Sequence, residues 1–221
     1  MRAEDPGKVW SDLDAAWQEA FRQAWEALRT GNIPVGACAS TADGRIIHSA
    51  RNRVSDHDGP PGETWGSAVA HAEVNVLARL PFRHHDELVL TTTLEPCLQC
   101  AGAIRLGPVD TVRFAGADRY WAGYHDFTKL SPKEAARPQA RKVGPLPGTI
   151  GVFATFISRL GPSLTPKFEK SLRAAGEGPM IDLVHDLESA GEVERLARLE
   201  VNEAFRALAP RLDGLKGQPP A

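Results

Sequence analysis

An α/β domain, a sheet covered by helices, followed by a helical C-terminal extension is the fold class this sequence predicts. Three observations predict it. Segments with the three-and-four apolar spacing of helices alternate with short β-rich runs through residues 11–117, in the order α-β-β-α-β-α-β. The 221 residues, 42% of them hydrophobic, suffice for a sizeable core. After Gly161-Pro162 the composition shifts towards Leu, Ala, Glu and Arg. The domain is therefore expected over residues 1–160 and the extension over residues 161–221.

Each element has a local reason. Leu13, Ala16, Trp17, Ala20, Phe21, Ala24 and Leu28 form one apolar face, so Ser11 to Thr30 reads as a helix, with Ser11 or Asp12 as cap and Gly31 as stop. Pro34 to Thr41 and Arg45 to Val54 read as two strands joined at Ala42-Asp43-Gly44. Ser55 to Gly66, interrupted by Gly59-Pro60-Pro61, is a polar loop. Ser67 is expected to cap a helix that runs to about Leu80, before Pro81. Leu88 to Leu94 is apolar and Thr-rich, the character of a buried strand. Pro96 then opens a helix over Cys97 to Leu106, stopped by Gly107-Pro108, and Thr111 to Ala117 reads as a further strand. Tyr120 to Pro147 carries no clear period, whereas Ile150 to Leu160 is apolar and is expected to be helical. Residues 165–212 read as helices broken at Gly176 to Pro179 and at Gly191, with fraying expected from Gly214 to Ala221.

Charge and cysteine usage narrow the function. The net charge is −2, and residues 1–160 carry 18 residues of each sign. That balance lacks the basic excess of a dedicated nucleic-acid binder. No apolar run approaches the roughly 20 residues of a membrane span, and the polar stretch Met1 to Trp10 lacks the apolar core of a secretory signal. A cytoplasmic protein with no membrane partner is expected. Three cysteines are too few for a disulfide framework, and Cys97 and Cys100 have the spacing of a metal or redox pair.

Two short motifs then act together: His71-Ala72-Glu73 near one helix start, and Pro96-Cys97-Leu98-Gln99-Cys100 at the next. With 17 Pro and 3 Cys in the chain, the chance count of Pro-Cys-x-x-Cys is roughly 0.003. Cys97 and Cys100 share a helix face in a first turn, where free N–H groups and the helix dipole favour thiolate. With His71 they form a three-ligand Zn2+ set that leaves a fourth tetrahedral position for water, as in catalytic zinc sites. Glu73 is not needed as a ligand and is the candidate catalytic proton carrier. A buried or redox cysteine pair is the competing reading of Cys97 and Cys100 alone. Cys38, in an apolar strand, reads as a small core residue.

His-x-Glu followed by Pro-Cys-x-x-Cys is the signature of zinc nucleobase deaminases, and over about Leu13 to Asp118 the chain resembles the cytidine deaminase-like superfamily. It is most similar to the branch that contains tRNA adenosine deaminases, guanine deaminases and cytosine deaminases. Asn32-Ile33-Pro34-Val35-Gly36-Ala37, Arg51-Asn52-Arg53, Ala70-His71-Ala72-Glu73 and the run from Thr93 to Ile104 carry the resemblance. It implies a three-layer α/β/α sandwich around a mixed, mostly five-stranded sheet. It also implies hydrolytic removal of a ring amino group as ammonia, with Glu73 relaying the proton, and a homo-oligomer, a dimer. Asn52 matches the position whose amide contacts the base; a turn-capping Asn is its other reading.

Trp65-Gly66-Ser67-Ala68-Val69 stands where many relatives have Asp-Pro-Thr, and Tyr120 to Phe127 also departs from a tRNA-acting pattern. Trp121, Tyr124 and His125 are candidates to roof a base pocket by stacking, against ordinary packing under a loop. The expected substrate is a small base, nucleoside or related heterocycle. Adenosine in tRNA is the alternative, and a non-catalytic, zinc-stabilised interaction protein is the third reading. Residues 161–221 hold no residue that reads as chemical; covering the pocket or building an interface between copies are the roles open to them.

Overall fold

The computed structural model describes residues 4–82, 86–121, 127–129, 131–162 and 164–216. Its five-stranded sheet has the order β2-β1-β3-β4-β5, built from β1 (Gly36–Thr41), β2 (Ile46–Arg51), β3 (Leu88–Leu94), β4 (Thr111–Gly116) and the short β5 (Arg141–Val143). β1 runs antiparallel to β2 and β3, whereas β3, β4 and β5 are mutually parallel, so the sheet is mixed as expected. The helices are α1 (Pro6–Ser11), α2 (Ala15–Arg29), α3 (Ala72–Ala78), α4 (Leu98–Leu106), α5 (Pro132–Ala135), α6 (Gly148–Ile157), α7 (Pro166–Leu172), α8 (Gly178–Ser189), α9 (Glu192–Ala197) and α10 (Val201–Asp213). None among the described residues is long and apolar enough to cross a membrane.

The pleat of the sheet divides the core. Val35, Ala37, Ala39, Leu90, Leu94 and Val112 face α3 and α4, where they pack with Ala72, Val76 and Ile104. Ala115 faces the other way, into a larger cluster with α2, α6 and the C-terminal helices. These are the three layers of an α/β/α sandwich. Close approach of α2 to β1 depends on Gly36: a Cβ there would lie 2.2 Å from the Ala20 carbonyl oxygen. The C-terminal helices belong to the same core. Val184, Leu187, Val201, Phe205 and Leu208 are buried against Phe21, Trp25 and Phe153, and Trp25 Nε1 donates to the Leu199 carbonyl at 2.9 Å.

Several boundaries differ from the sequence expectation. α2 starts at Ala15, capped by Asp14, whose side chain accepts from the Trp17 N–H; Ser11 instead closes a separate helix, α1, which the sequence reading did not contain. The helix expected from Ser67 begins only at Ala72. Ser67 to Ala70 form a turn closed by the Ala70 N–H to the Ser67 carbonyl, and His71 is extended and occupies the N-cap. The break at Gly176 is real: its φ of 85° lies in the left-handed region, where glycine is favoured. The roofing candidates Tyr124 and His125, and the last residues 217–221, lie outside the described residues.

Candidate active site

Two helix starts, side by side, build the site. His71 is the N-cap of α3 and Glu73 sits in its first turn; Cys97 is the N-cap of α4 and Cys100 sits one turn on. Gln99 Nε2 donates to the Val69 carbonyl at 3.0 Å and ties the start of α4 to the turn that delivers His71. The three sequence-predicted ligands converge. His71 Nδ1 lies 3.6 Å from Cys97 Sγ and 3.4 Å from Cys100 Sγ, and the two sulfurs are 3.6 Å apart. A tetrahedral zinc ion, with bonds of about 2.3 Å to sulfur and about 2.05 Å to nitrogen, separates two sulfurs by about 3.8 Å and sulfur from nitrogen by about 3.6 Å. The donor set therefore fits zinc in both chemistry and spacing, and its ligand atoms lie within one ion's reach of one another.

Hydrogen bonds couple the protons of the three groups. The Cys100 thiol hydrogen-bonds to Cys97 and holds its pKa down to about 4, against burial and with help from His71. Cys100 is the partner that keeps the proton, pushed well above the ordinary thiol range by that same bond, by burial and by nearby Glu73. Burial opposes charge on His71, yet its hydrogen bond to Cys97 and the nearby Glu73 carboxylate leave its pKa raised.

Glu73 is buried, and burial raises its pKa although His71 opposes this. The Thr92 hydroxyl, from the same face of β3 as Leu90 and Leu94, donates to Glu73 Oε1 at 3.0 Å. Glu73 Oε2 lies 3.4 Å from Cys100 Sγ, at the edge of the metal centre. A carboxylate fixed by one oxygen, with the other beside the centre, is arranged to exchange protons there.

Asn52 caps a turn and lines the cavity. Its Oδ1 accepts from the Val54 N–H at 3.1 Å, as a turn-capping Asn does. That bond fixes the amide so that Nδ2 remains as the donor in a cavity that Asn52 lines together with His71 and Glu73. The loop that follows is anchored rather than loose. Asp56 pairs with Arg51 and Arg53 at 2.7 Å, Glu63 pairs with Arg53 at 2.6 Å, and Asn75 Oδ1 accepts from the Thr64 N–H at 2.8 Å.

The cavity has a volume of about 110 Å³, and Cys97, Cys100 and Leu94 line it with Asn52, His71 and Glu73. Trp121 lines it, and its neighbour Tyr120 stands edge-on to both Trp121 and Phe168 at 5.0 Å. Asp118, Arg159 and Phe168 also line it and were missed by sequence reasoning. For two of them a signal existed. Asp118 is the second residue after β4, at the carboxyl end of a parallel strand, where open α/β sheets place ligands. Arg159 is a single cation closing an otherwise apolar helical run. Phe168 comes from residues 161–221, for which covering the pocket was one of the two open roles.

A family model of the cytidine and deoxycytidylate deaminase zinc-binding region matches residues 11–115. The chain is 33% identical over 93 residues to a cytosine deaminase of Candida albicans, covering 40% of this chain and 56% of that protein. It is 31% identical over 124 residues to a tRNA-specific adenosine deaminase of Streptococcus pyogenes serotype M18, covering 53% of this chain and 70% of that protein. A solved guanine deaminase from Nitrosomonas europaea superposes with a TM-score of 0.48 at 19% identity, over 66% of this chain and 84% of that one.

Proposed function

The chain belongs to the cytidine and deoxycytidylate deaminase zinc-binding family, and on that footing we propose that it hydrolytically deaminates a free base, nucleoside or related small heterocycle. The observation that carries this reading is the convergence of His71, Cys97 and Cys100 at tetrahedral spacing with the Glu73 carboxylate beside them.

His71 Nδ1 and the sulfurs of Cys97 and Cys100 would hold the zinc. When bound, zinc supplies Lewis-acid activation of water at neutral pH. Glu73, steadied at Oε1 by Thr92, takes one proton of the attacking water at Oε2 and passes it to the ring nitrogen, then carries the water's second proton to the amino group, which departs as ammonia. A pKa raised by burial suits a group that must both accept and donate. Asn52 Nδ2 donates to an acceptor on the ring and orients it. Trp121 and Phe168 bound the cavity with apolar surface that excludes water.

A small substrate accords with the balanced charge of residues 1–160. The similarity to a tRNA-specific adenosine deaminase motivates the second reading, adenosine in tRNA. The test is ammonia release by the zinc-loaded protein from a panel of bases and nucleosides, run beside inosine formation in tRNA across a salt series. Ammonia from one small class is expected. Salt-sensitive inosine formation without release from the panel would transfer the assignment to tRNA. Glu73→Gln is expected to lower turnover by roughly 10²–10⁴-fold while one zinc per chain remains by metal analysis. If wild type and variant are equally inert, the interaction-protein reading takes over.

A further inference from the structure

Arg159 is a buried cation that the chemistry above does not use. It follows α6, is 2% exposed, and lines the same cavity as Asn52 and Glu73. Buried arginines are held by partners, and Arg159 has two. Its Nε donates to Glu177 Oε2 at 2.8 Å and its Nη2 donates to Glu177 Oε1 at 3.1 Å, a two-point grip, while Nη2 also reaches Asp118 Oδ1 at 3.3 Å. Glu177 comes from the kink after α7, and the Phe168 ring covers the guanidinium at 5.9 Å.

Those bonds account for three of the five guanidinium N–H groups. The two on Nη1 find no acceptor among the described residues. Nor is Nη1 sealed in: among the described residues, Thr91 Oγ1 is the only fully buried side-chain nitrogen or oxygen without a partner. Nη1 therefore keeps its donors for a ligand in the cavity that Arg159 lines. A rigid donor in a mostly apolar pocket discriminates strongly, because a ligand without an acceptor leaves it unpaired. Two carboxyl groups already face this one cation. The cluster consequently offers no surplus positive charge to a phosphate, and its remaining donors suit a neutral acceptor.

We propose that Arg159 is a specificity-determining residue whose Nη1 selects a ring bearing an oxo group besides the amino group it loses, with Glu177 as the positioning residue that aims it. The proposal rests on the small-heterocycle reading and names the substrate class within it.

The experiment compares ring pairs that differ by one oxo group: cytosine against 4-aminopyrimidine, and guanine against 2-aminopurine. Ammonia release is measured on the zinc-loaded wild type, and binding is measured by calorimetry on Glu73→Gln. Wild type is expected to favour the oxo member of the accepted pair by about 10- to 100-fold in kcat/KM, the worth of a hydrogen bond to a charged group. Arg159→Lys keeps the charge for Glu177 but lacks the fork, and is expected to bring that ratio close to 1 with zinc content unchanged. Should Arg159→Lys fold poorly, the paired replacement Arg159→Met with Glu177→Met removes both charges together and is expected to level the ratio equally. A wild type without oxo preference, or variants that slow both members alike, would overturn the proposal. Oxo-selective binding without any ammonia release would sustain Arg159's role while sinking the deaminase reading. Absence of binding to all four rings would sink both.

Discussion

His71, Glu73, Cys97 and Cys100 were legible in the sequence because their chemistry depends on local spacing: two helix starts, each presenting two functional side chains within one turn. Asp118 and Arg159 left only a positional signal, because each owes its character to groups far along the chain. Burial raises the pKa of Asp118; Arg159 pulls it down, Glu177 pushes it up, and the outcome is a carboxyl held above its ordinary value near 3.8. A carboxyl that binds its proton more tightly when folded contributes stability that is fully present below its unfolded pKa, and that contribution is lost as pH rises through the folded pKa. Asp118→Asn keeps an oxygen acceptor for Arg159 but has no such titration. Across urea transitions from pH 4 to pH 8, wild type is therefore expected to lose stability relative to Asp118→Asn as pH rises. A difference that is flat, or of opposite slope, would show that Arg159 dominates the environment of Asp118.

At the scale of elements, alternation of helix and strand periods predicted the order of the sandwich, and turn residues predicted the β1–β2 hairpin. Boundaries were less legible. The chain from Ser67 to Ala70 carries helix-compatible residues, yet it forms a turn that sets the extended His71 at the head of α3. The short β5 was also invisible, since its three residues, Arg141–Val143, are exposed and carry no apolar alternation. The layer spacing between α2 and β1 rests on one residue. A Cβ at Gly36 would stand 2.2 Å from the Ala20 carbonyl oxygen and 2.3 Å from the Ala24 nitrogen, both of them backbone atoms that a rotamer change cannot move. Gly36→Ala is expected to cost about 3 kcal/mol as α2 is forced outward, read as a lowered urea midpoint. A midpoint unchanged from wild type would mean that the helix rides away from the sheet without loss of packing.

The whole molecule depends on how the C-terminal helices are joined to the sandwich. Their amphipathic pattern announced helices, but a pattern of that kind says only that one face is covered, not by what. In the structure that face is spent on the sandwich itself. Phe205 packs on Phe153 at 5.1 Å, Trp25 and Arg29 of α2 donate to the carbonyl groups of Leu199 and Ala197, and Lys216 pairs with Glu4 near the other end of the chain. Removing residues 161–221 would expose Phe21, Trp25, Phe153, Phe156 and Ile157 at once, and would take Phe168 from the pocket wall and Glu177 from Arg159. A fragment of residues 1–160 is therefore expected to lose cooperative unfolding and to expose apolar surface that binds a hydrophobic dye. Full-length Phe205→Ala, which removes one of those contacts, is expected to lose about 3–5 kcal/mol while still binding one zinc. If the fragment instead unfolds cooperatively and holds zinc as tightly as the full chain, the sandwich is self-sufficient. The C-terminal helices would then serve the pocket alone, through Phe168 and the grip of Glu177 on Arg159.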